Sequence, residues 1–293
     1  MVESRLSRIS NKIVSNSVFI ILAFACVAPL ILLISISFSE NGLIIKNGYS
    51  FFPQGFNLEA YKFLLRDVSA IGNAYKVTAF VTTVGSVVAL IMTVFLAYPI
   101  SRQEFKYGRV ISFLVFFTLL FNGGLVPSYI LTTRYLNLGN TIWVLILPYL
   151  VTPWYVMLMK AFFVGIPNEI IEAAVIDGAG EFRILFKIVM PLSKPALASI
   201  GLFIILKYYN DWWLSMLYIN DSDKVSLQYF LYRVLSSIEE AQNNKSIFEV
   251  GKTFPQESVR MAMAVFVIVP IIAIFPFLQK YFVKGITIGS VKG

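Results

Sequence analysis

The sequence predicts an all-α integral membrane protein with six transmembrane helices and one short amphipathic helix on the cytoplasmic face, between the fourth and fifth spans. Three observations carry this reading. Of 293 residues, 58% are hydrophobic and only 14% are charged, against about 45–50% and about 25% in soluble domains. Apolar stretches of about 20 residues, the length needed to cross roughly 30 Å of hydrocarbon, recur six times along the chain. Lysine and arginine concentrate in alternate short loops, as they do on the cytoplasmic side of membrane proteins.

The same composition excludes other classes. Few charges and many apolar residues argue against disorder. The chain has no His and a single Cys, Cys26, inside an apolar run. A disulfide framework, a zinc site and histidine-based acid–base chemistry are therefore not expected, and no metal is expected. The net charge of +8 follows the loop pattern of a membrane orientation, and no nucleic acid is expected.

The expected spans cover residues 18–38, 75–100, 110–131, 141–164, 196–219 and 261–278. The first follows Arg5, Arg8 and Lys12 and is too long for a signal-peptide core, so it reads as a retained helix. The third contains Asn122, Gly123, Gly124 and Pro127, which predict a broken or bent helix. Arg102, Lys106 and Arg109 follow the second span, and Arg183, Lys187 and Lys194 follow the fourth. This places both termini in the cytoplasm and residues 39–74 and 220–260 outside. The chain divides into an amino-terminal arm, first span and outer loop (1–72), a core (73–280) and a cytoplasmic tail (281–293).

Between the fourth and fifth spans, Pro167 and Asn168 read as a helix start. Ile170, Ile171, Ala174 and Val175 then alternate with Glu169, Glu172 and Asp177, the pattern of a helix lying along a membrane face. Gly178 and Gly180 let the chain turn. An interfacial helix that merely joins two spans would have the same periodicity.

The spacing is more specific. Glu172-Ala173-Ala174, three residues, Gly178, nine residues, then Ile188-Val189-Met190-Pro191 resembles the EAA loop of bacterial ABC importer permeases. Met190 stands where that pattern has Leu, a volume-conserving change. Over nearly the whole chain the sequence is similar to maltose-type (MalG-like) carbohydrate permeases, and within them to the LplC-like branch. Residues 122–127, Asn140-Thr141-Ile142-Trp143, Asp177-Gly178-Ala179, Tyr209-Asn210-Asp211-Trp212 and the tail from Lys284 to Gly293 carry that similarity.

The resemblance implies a type I importer permease, a transporter subunit and not an enzyme. Its short helix, about residues 167–178, would be a coupling helix seated in a partner ATPase. Glu169, Glu172, Ala173, Ala174, Asp177 and Gly178 would form that contact, and tail residues Ile286, Thr287 and Lys292 would reach the ATPase interface. Partners implied are a second, homologous but different permease, an ATP-binding subunit dimer, an extracytoplasmic solute-binding protein met by residues 220–258, and an oligosaccharide. The branch is associated with uronate-containing sugars such as alginate or pectin fragments. No cofactor is expected in this chain; ATP and Mg would belong to the partner. Consistent with that, the nearest phosphate-loop match, Ser246 to Thr253, lacks the first glycine and falls in an outer loop.

Polar residues inside spans are costly and mark pathways by default. Asn122, Tyr209, Asn210, Asp211 and Trp213 are the candidates for the substrate path, since sugars are held by aromatic stacking and by amide and carboxylate hydrogen bonds. Lys207 and Asp211 are four apart and can pair along a helix face. A kink at Asn122 and an interfacial aromatic belt at residues 207–213 would leave the same residues. A self-contained secondary carrier or channel is the competing reading; it leaves the Glu-Ala-Ala spacing without a task and has few intramembrane charges to couple ions.

Overall fold

The computed structural model describes residues 5–243 and 255–289. In chain order its helices are α1 (Arg5–Ser37), α2 (Asn41–Asn47), α3 (Glu59–Leu64), α4 (Val68–Ser101), α5 (Gly108–Leu120), α6 (Leu125–Ile130), α7 (Pro153–Val164), α8 (Asn168–Ile176), α9 (Glu181–Ile184), α10 (Met190–Leu192), α11 (Lys194–Tyr209), α12 (Trp213–Tyr218), α13 (Leu227–Asn243) and α14 (Gln256–Gly289). Among the described residues no strand forms; a single isolated bridge joins Ser39 and Phe56.

Three stretches are long and apolar enough to cross a membrane unaided: Val14–Ser37, Glu59–Ser101 and Gln256–Ala273. Three bent pairs pass the same test together: Gly108–Leu120 with Leu125–Tyr135, Ile142–Tyr149 with Pro153–Val164, and Glu181–Leu192 with Lys194–Tyr209. Counting each bent pair as one span gives up to six.

The bends have local causes. The first pair turns by 112°. Gly124 adopts φ +88°, open to glycine alone without strain, and its N–H donates to Asn122 Oδ1 at 2.9 Å. The second pair turns by 45°, and its first half is 3₁₀ helix at Ile142–Leu145 and Leu147–Tyr149. Pro148 and Pro153 supply no N–H, and Thr152 before Pro153 is extended at φ −100°, ψ 114°, so a straight helix over 141–164 does not form. The third pair turns by 83° and includes a π-helical turn, Leu185–Val189.

The fifth expected span ends early. α11 stops at Tyr209 and α12 starts only at Trp213, so residues 210–212 interrupt what the sequence reads as one helix to 219. The tail differs in the opposite sense: the backbone of α14 stays helical to Gly289.

The described residues form two compact units. One comprises the described residues within 5–68 and 234–271. In it Phe38 stacks between Phe56 and Tyr61, and Ser37 shares a 2.8 Å hydrogen bond with Tyr61 Oη. At the start of α14, Asn41 Oδ1 accepts from Glu257 N at 2.9 Å, and the Tyr49 hydroxyl donates to Glu257 Oε2 at 2.8 Å. That hydrogen bond raises the Tyr49 phenol above its usual range. Arg260 pairs with Glu239 and Glu257 in an ion-pair cluster.

The other unit comprises the described residues within 69–233 and 272–289. Its core joins α4, the segment Ile142–Leu145, α7, α9 and α11 through fully buried Ala97, Val144, Val156, Met159, Ile184 and Ile200. Gly85 sets the approach of α4 to α11: a Cβ there would lie 2.7 Å from the Tyr208 ring, whose hydroxyl donates to Ile146 O at 2.9 Å. Gly85→Ala gains about 1 kcal/mol of helix propensity. Forcing a hydrogen-bonded, buried ring aside costs about 1–3 kcal/mol. The expected result is a net loss of about 1 kcal/mol, seen as a lower thermal unfolding midpoint of the purified protein.

Candidate coupling helix and transport path

Two regions draw the candidate residues together. The first is α8. It begins after Pro167, whose missing N–H costs nothing at a helix start. It ends in a Schellman turn: Ala179 N donates to Ala174 O at 2.9 Å, Gly178 N donates to Val175 O at 3.0 Å, and Gly178 takes φ +76°. The glycine of the spacing pattern is thus the one position that must turn left-handed.

α8 is held by a narrow inner face. Ile171 is buried and Ala174, one turn on, is half-buried against the core. Glu169, Glu172, Ala173 and Asp177 are all exposed. Ile176 is 85% exposed, which is costly for an isoleucine unless something covers it. Downstream, Glu181 Oε2 accepts a 2.5 Å hydrogen bond from Tyr98 Oη near the end of α4. The segment after α8 is therefore tied to a long helix.

Ile286 and Thr287 fall on the backbone of α14, with their side chains outside the described residues. Lys292 also lies outside them, as do residues 246–253 with the phosphate-loop match.

The second region is the break between α11 and α12. The two oxygens of Asp211 are both used within the chain: Oδ1 accepts from Tyr149 Oη at 2.8 Å, and Oδ2 caps α12 by accepting from Leu214 N at 3.1 Å. Lys207 and Asp211 do not meet directly. The Lys207 ammonium sits 4.1 Å from the centroid of the Tyr149 ring and donates to Thr152 Oγ1 at 3.2 Å, so Tyr149 bridges the two charges. The helical register alone suggested a pair, but the break at residue 210 turns Asp211 toward the fourth-span segment instead.

Around this break the candidates divide. Tyr209 is 9% exposed and belongs to the packed side. Asn210 is exposed, and Trp213, 41% exposed, meets Trp212 edge-on at 5.7 Å. Asn122 is exposed and spends its carbonyl on its own turn. Ser226 Oγ donates to Asp211 O at 3.0 Å, and Leu227 N donates to Thr78 Oγ1 at 2.8 Å, which brings the start of α13 beside the break.

A neighbouring loop is braced by a residue quoted only as part of a motif. Asn140, at φ +58°, accepts from Asn220 N and Asp221 N with its side-chain oxygen. The Asp223 N–H and the Lys224 ammonium hold the Asp221 carboxyl below its usual range.

Residues 77–288 match the family described as binding-protein-dependent transport system inner membrane component. The chain is 35% identical over 271 residues to the polygalacturonan/rhamnogalacturonan transport system permease protein YtcP of Bacillus subtilis, covering 92% of this chain and 94% of that one. It is 36% identical over 267 residues to protein LplC of the same organism, covering 91% and 90%. Among solved structures it superimposes, with a TM-score of 0.78 and 30% identity over 96% of this chain and 99% of the other, on a chain of a bacterial ABC transporter involved in the import of the acidic polysaccharide alginate. On the family match and on identity across nine-tenths of its length, the chain belongs to the binding-protein-dependent transport system inner membrane components, the permeases of bacterial ABC importers.

Proposed function

We propose that this permease forms half of the path by which an oligosaccharide enters the cell, and that α8 transmits ATP hydrolysis from a separate subunit to the spans. The observation that carries the reading is the solvent-facing side of α8. Glu172 and Ala173 project outward from a helix whose inner face is only Ile171 and Ala174, closed by a glycine turn.

Such a helix is suited to docking. Small Ala173 permits close approach, Glu172 offers a charge, and Ile176 offers apolar area. An ATP-binding dimer that closes beneath it would carry α8 as a rigid piece, and the tie from Tyr98 to Glu181 passes that displacement to α4. Binding energy on one subunit then biases a two-state arrangement in another. No cofactor is needed in this chain; ATP and Mg belong to the partner. The remaining partners are a homologous but different permease, which completes the wall, and a solute-binding protein on the outer loops. Both termini lie in the cytoplasm in this arrangement.

The relative YtcP is named for polygalacturonan and rhamnogalacturonan, and the structural neighbour's transporter imports alginate. These favour a uronate-containing oligosaccharide as cargo. The test is uptake of labelled trigalacturonate into proteoliposomes holding the complete importer and its binding protein. Uptake that requires enclosed ATP is the expected result. Uptake driven by an ion gradient with no ATP would overturn the reading.

A further inference from the structure

Next to the break at Asn210, the first turns of α13 present an aromatic surface that the packing leaves open. Trp212 stacks on Tyr232 with centroids 4.9 Å apart and planes 25° apart, and Tyr232 lies within 19° of parallel to Tyr229 at 6.3 Å. Trp212 and Tyr232 are 37% and 44% exposed, so this surface is not core. Polar groups rim it. Gln228 Nε2 donates to Asn210 Oδ1 at 3.4 Å, and the exposed Arg233 guanidinium lies 6.0 Å from the centroid of the Tyr229 ring.

Arg233 pairs with no carboxylate among the described residues, whose four ion pairs involve Arg102, Lys224 and Arg260. Asp211, next to Trp212 in the chain, has both oxygens occupied by Tyr149 and Leu214.

A flat aromatic face, side-chain amides and an uncommitted guanidinium are what a pyranose ring bearing a carboxylate requires. The ring's polarised C–H groups meet the electron-rich aromatic face. Hydroxyls meet the amides, and the carboxylate meets the planar fork of the guanidinium. We propose that Trp212, Tyr229 and Tyr232, with Arg233, Gln228 and Asn210, bind a uronate ring of the transported oligosaccharide and select acidic over neutral sugar. The inference rests on the reading that an oligosaccharide passes this subunit. An interfacial aromatic belt would leave the rings exposed too, but would gain nothing from the amide pair or from an unpaired arginine beside them.

The experiment measures equilibrium binding to the purified membrane complex, without its binding protein, of trigalacturonate and of the neutral galactotriose, by saturation-transfer NMR. Trigalacturonate is expected to bind about tenfold more tightly than galactotriose, with the preference shrinking as salt rises. Arg233→Gln is expected to remove the preference and leave galactotriose binding in place, Arg233→Lys to retain part of it, and Trp212→Ala to weaken both sugars. A preference unchanged in Arg233→Gln, or equal binding of the two sugars by the wild type, would overturn the proposal. A wild-type importer that transports a neutral oligosaccharide yet shows no acidic preference here sinks this inference alone. One that transports no sugar at all sinks the carbohydrate reading with it.

Discussion

Glu172→Lys is expected to abolish ATP-driven import, by a hundredfold or more, while leaving the folded permease as stable as the wild type. The argument rests on where the side chain is. Glu172 is exposed on α8 and forms no ion pair among the described residues. A surface substitution of that kind changes a chain's own stability by about 0.5 kcal/mol or less. Against a docked partner the same change does two things: it removes a charge contact and puts a like charge in its place, together worth about 2–5 kcal/mol. A factor of 100 corresponds to about 2.7 kcal/mol, well inside that range. Thermal unfolding, import and ATPase rates measured on one preparation check it. An unchanged midpoint with lost import assigns the effect to the missing contact. Unimpaired import would mean that α8 only joins two spans.

Asp211→Ala is expected to have the largest effect on stability, about 3 kcal/mol. The substitution removes the acceptor for Tyr149 Oη and the cap on Leu214 N together. It also leaves the Lys207 ammonium over the Tyr149 ring without the carboxylate at that ring's hydroxyl. Hydrogen bonds to a charged group contribute about 1.5–3 kcal/mol, and stranding a partner of a buried charged network costs about 3–5 kcal/mol. Asp211→Asn keeps one acceptor and should lose roughly half as much. The unfolding midpoint separates this bracing role from a sugar contact. A residue that only touched substrate would leave the midpoint alone and weaken transport.

The membrane class and the approximate spans could be read from the chain because they depend on properties summed over about 20 residues. The break at Asn122-Gly123-Gly124 could be read for the opposite reason, since one glycine at φ +88° imposes it locally. Gly178 is similar, as its left-handed turn is a backbone need that only the residue type reveals. What could not be read depends on residues far apart in sequence. The break at 210–212 needs Tyr149 to hold Asp211, and helical spacing alone placed Lys207 and Asp211 together instead. The close approach at Gly85 depends on Tyr208, 123 positions away, and no local pattern marks that glycine. The prolines at 148 and 153 did carry a signal for the 45° bend, which the apolar run around them outweighs in a hydropathy reading.

In the site, α8 was visible in the sequence because one spacing pattern contains the helix, its outward face and its stop. The aromatic surface was visible only in part. Asn210 and Trp213 stand out as polar and aromatic residues inside an apolar span, whereas Gln228, Tyr229, Tyr232 and Arg233 sit in an outer segment where such residues are ordinary. Only the return of α13 beside the break brings them to Trp212.

The most direct measurement is purification of the tagged permease from its native membrane in mild detergent, with ATPase activity assayed on what co-purifies. A second, different permease and an ATP-hydrolysing subunit recovered with it, and ATPase activity stimulated by sugar-loaded binding protein, is the expected result. A permease recovered alone that transports when reconstituted without any ATPase would contradict the account.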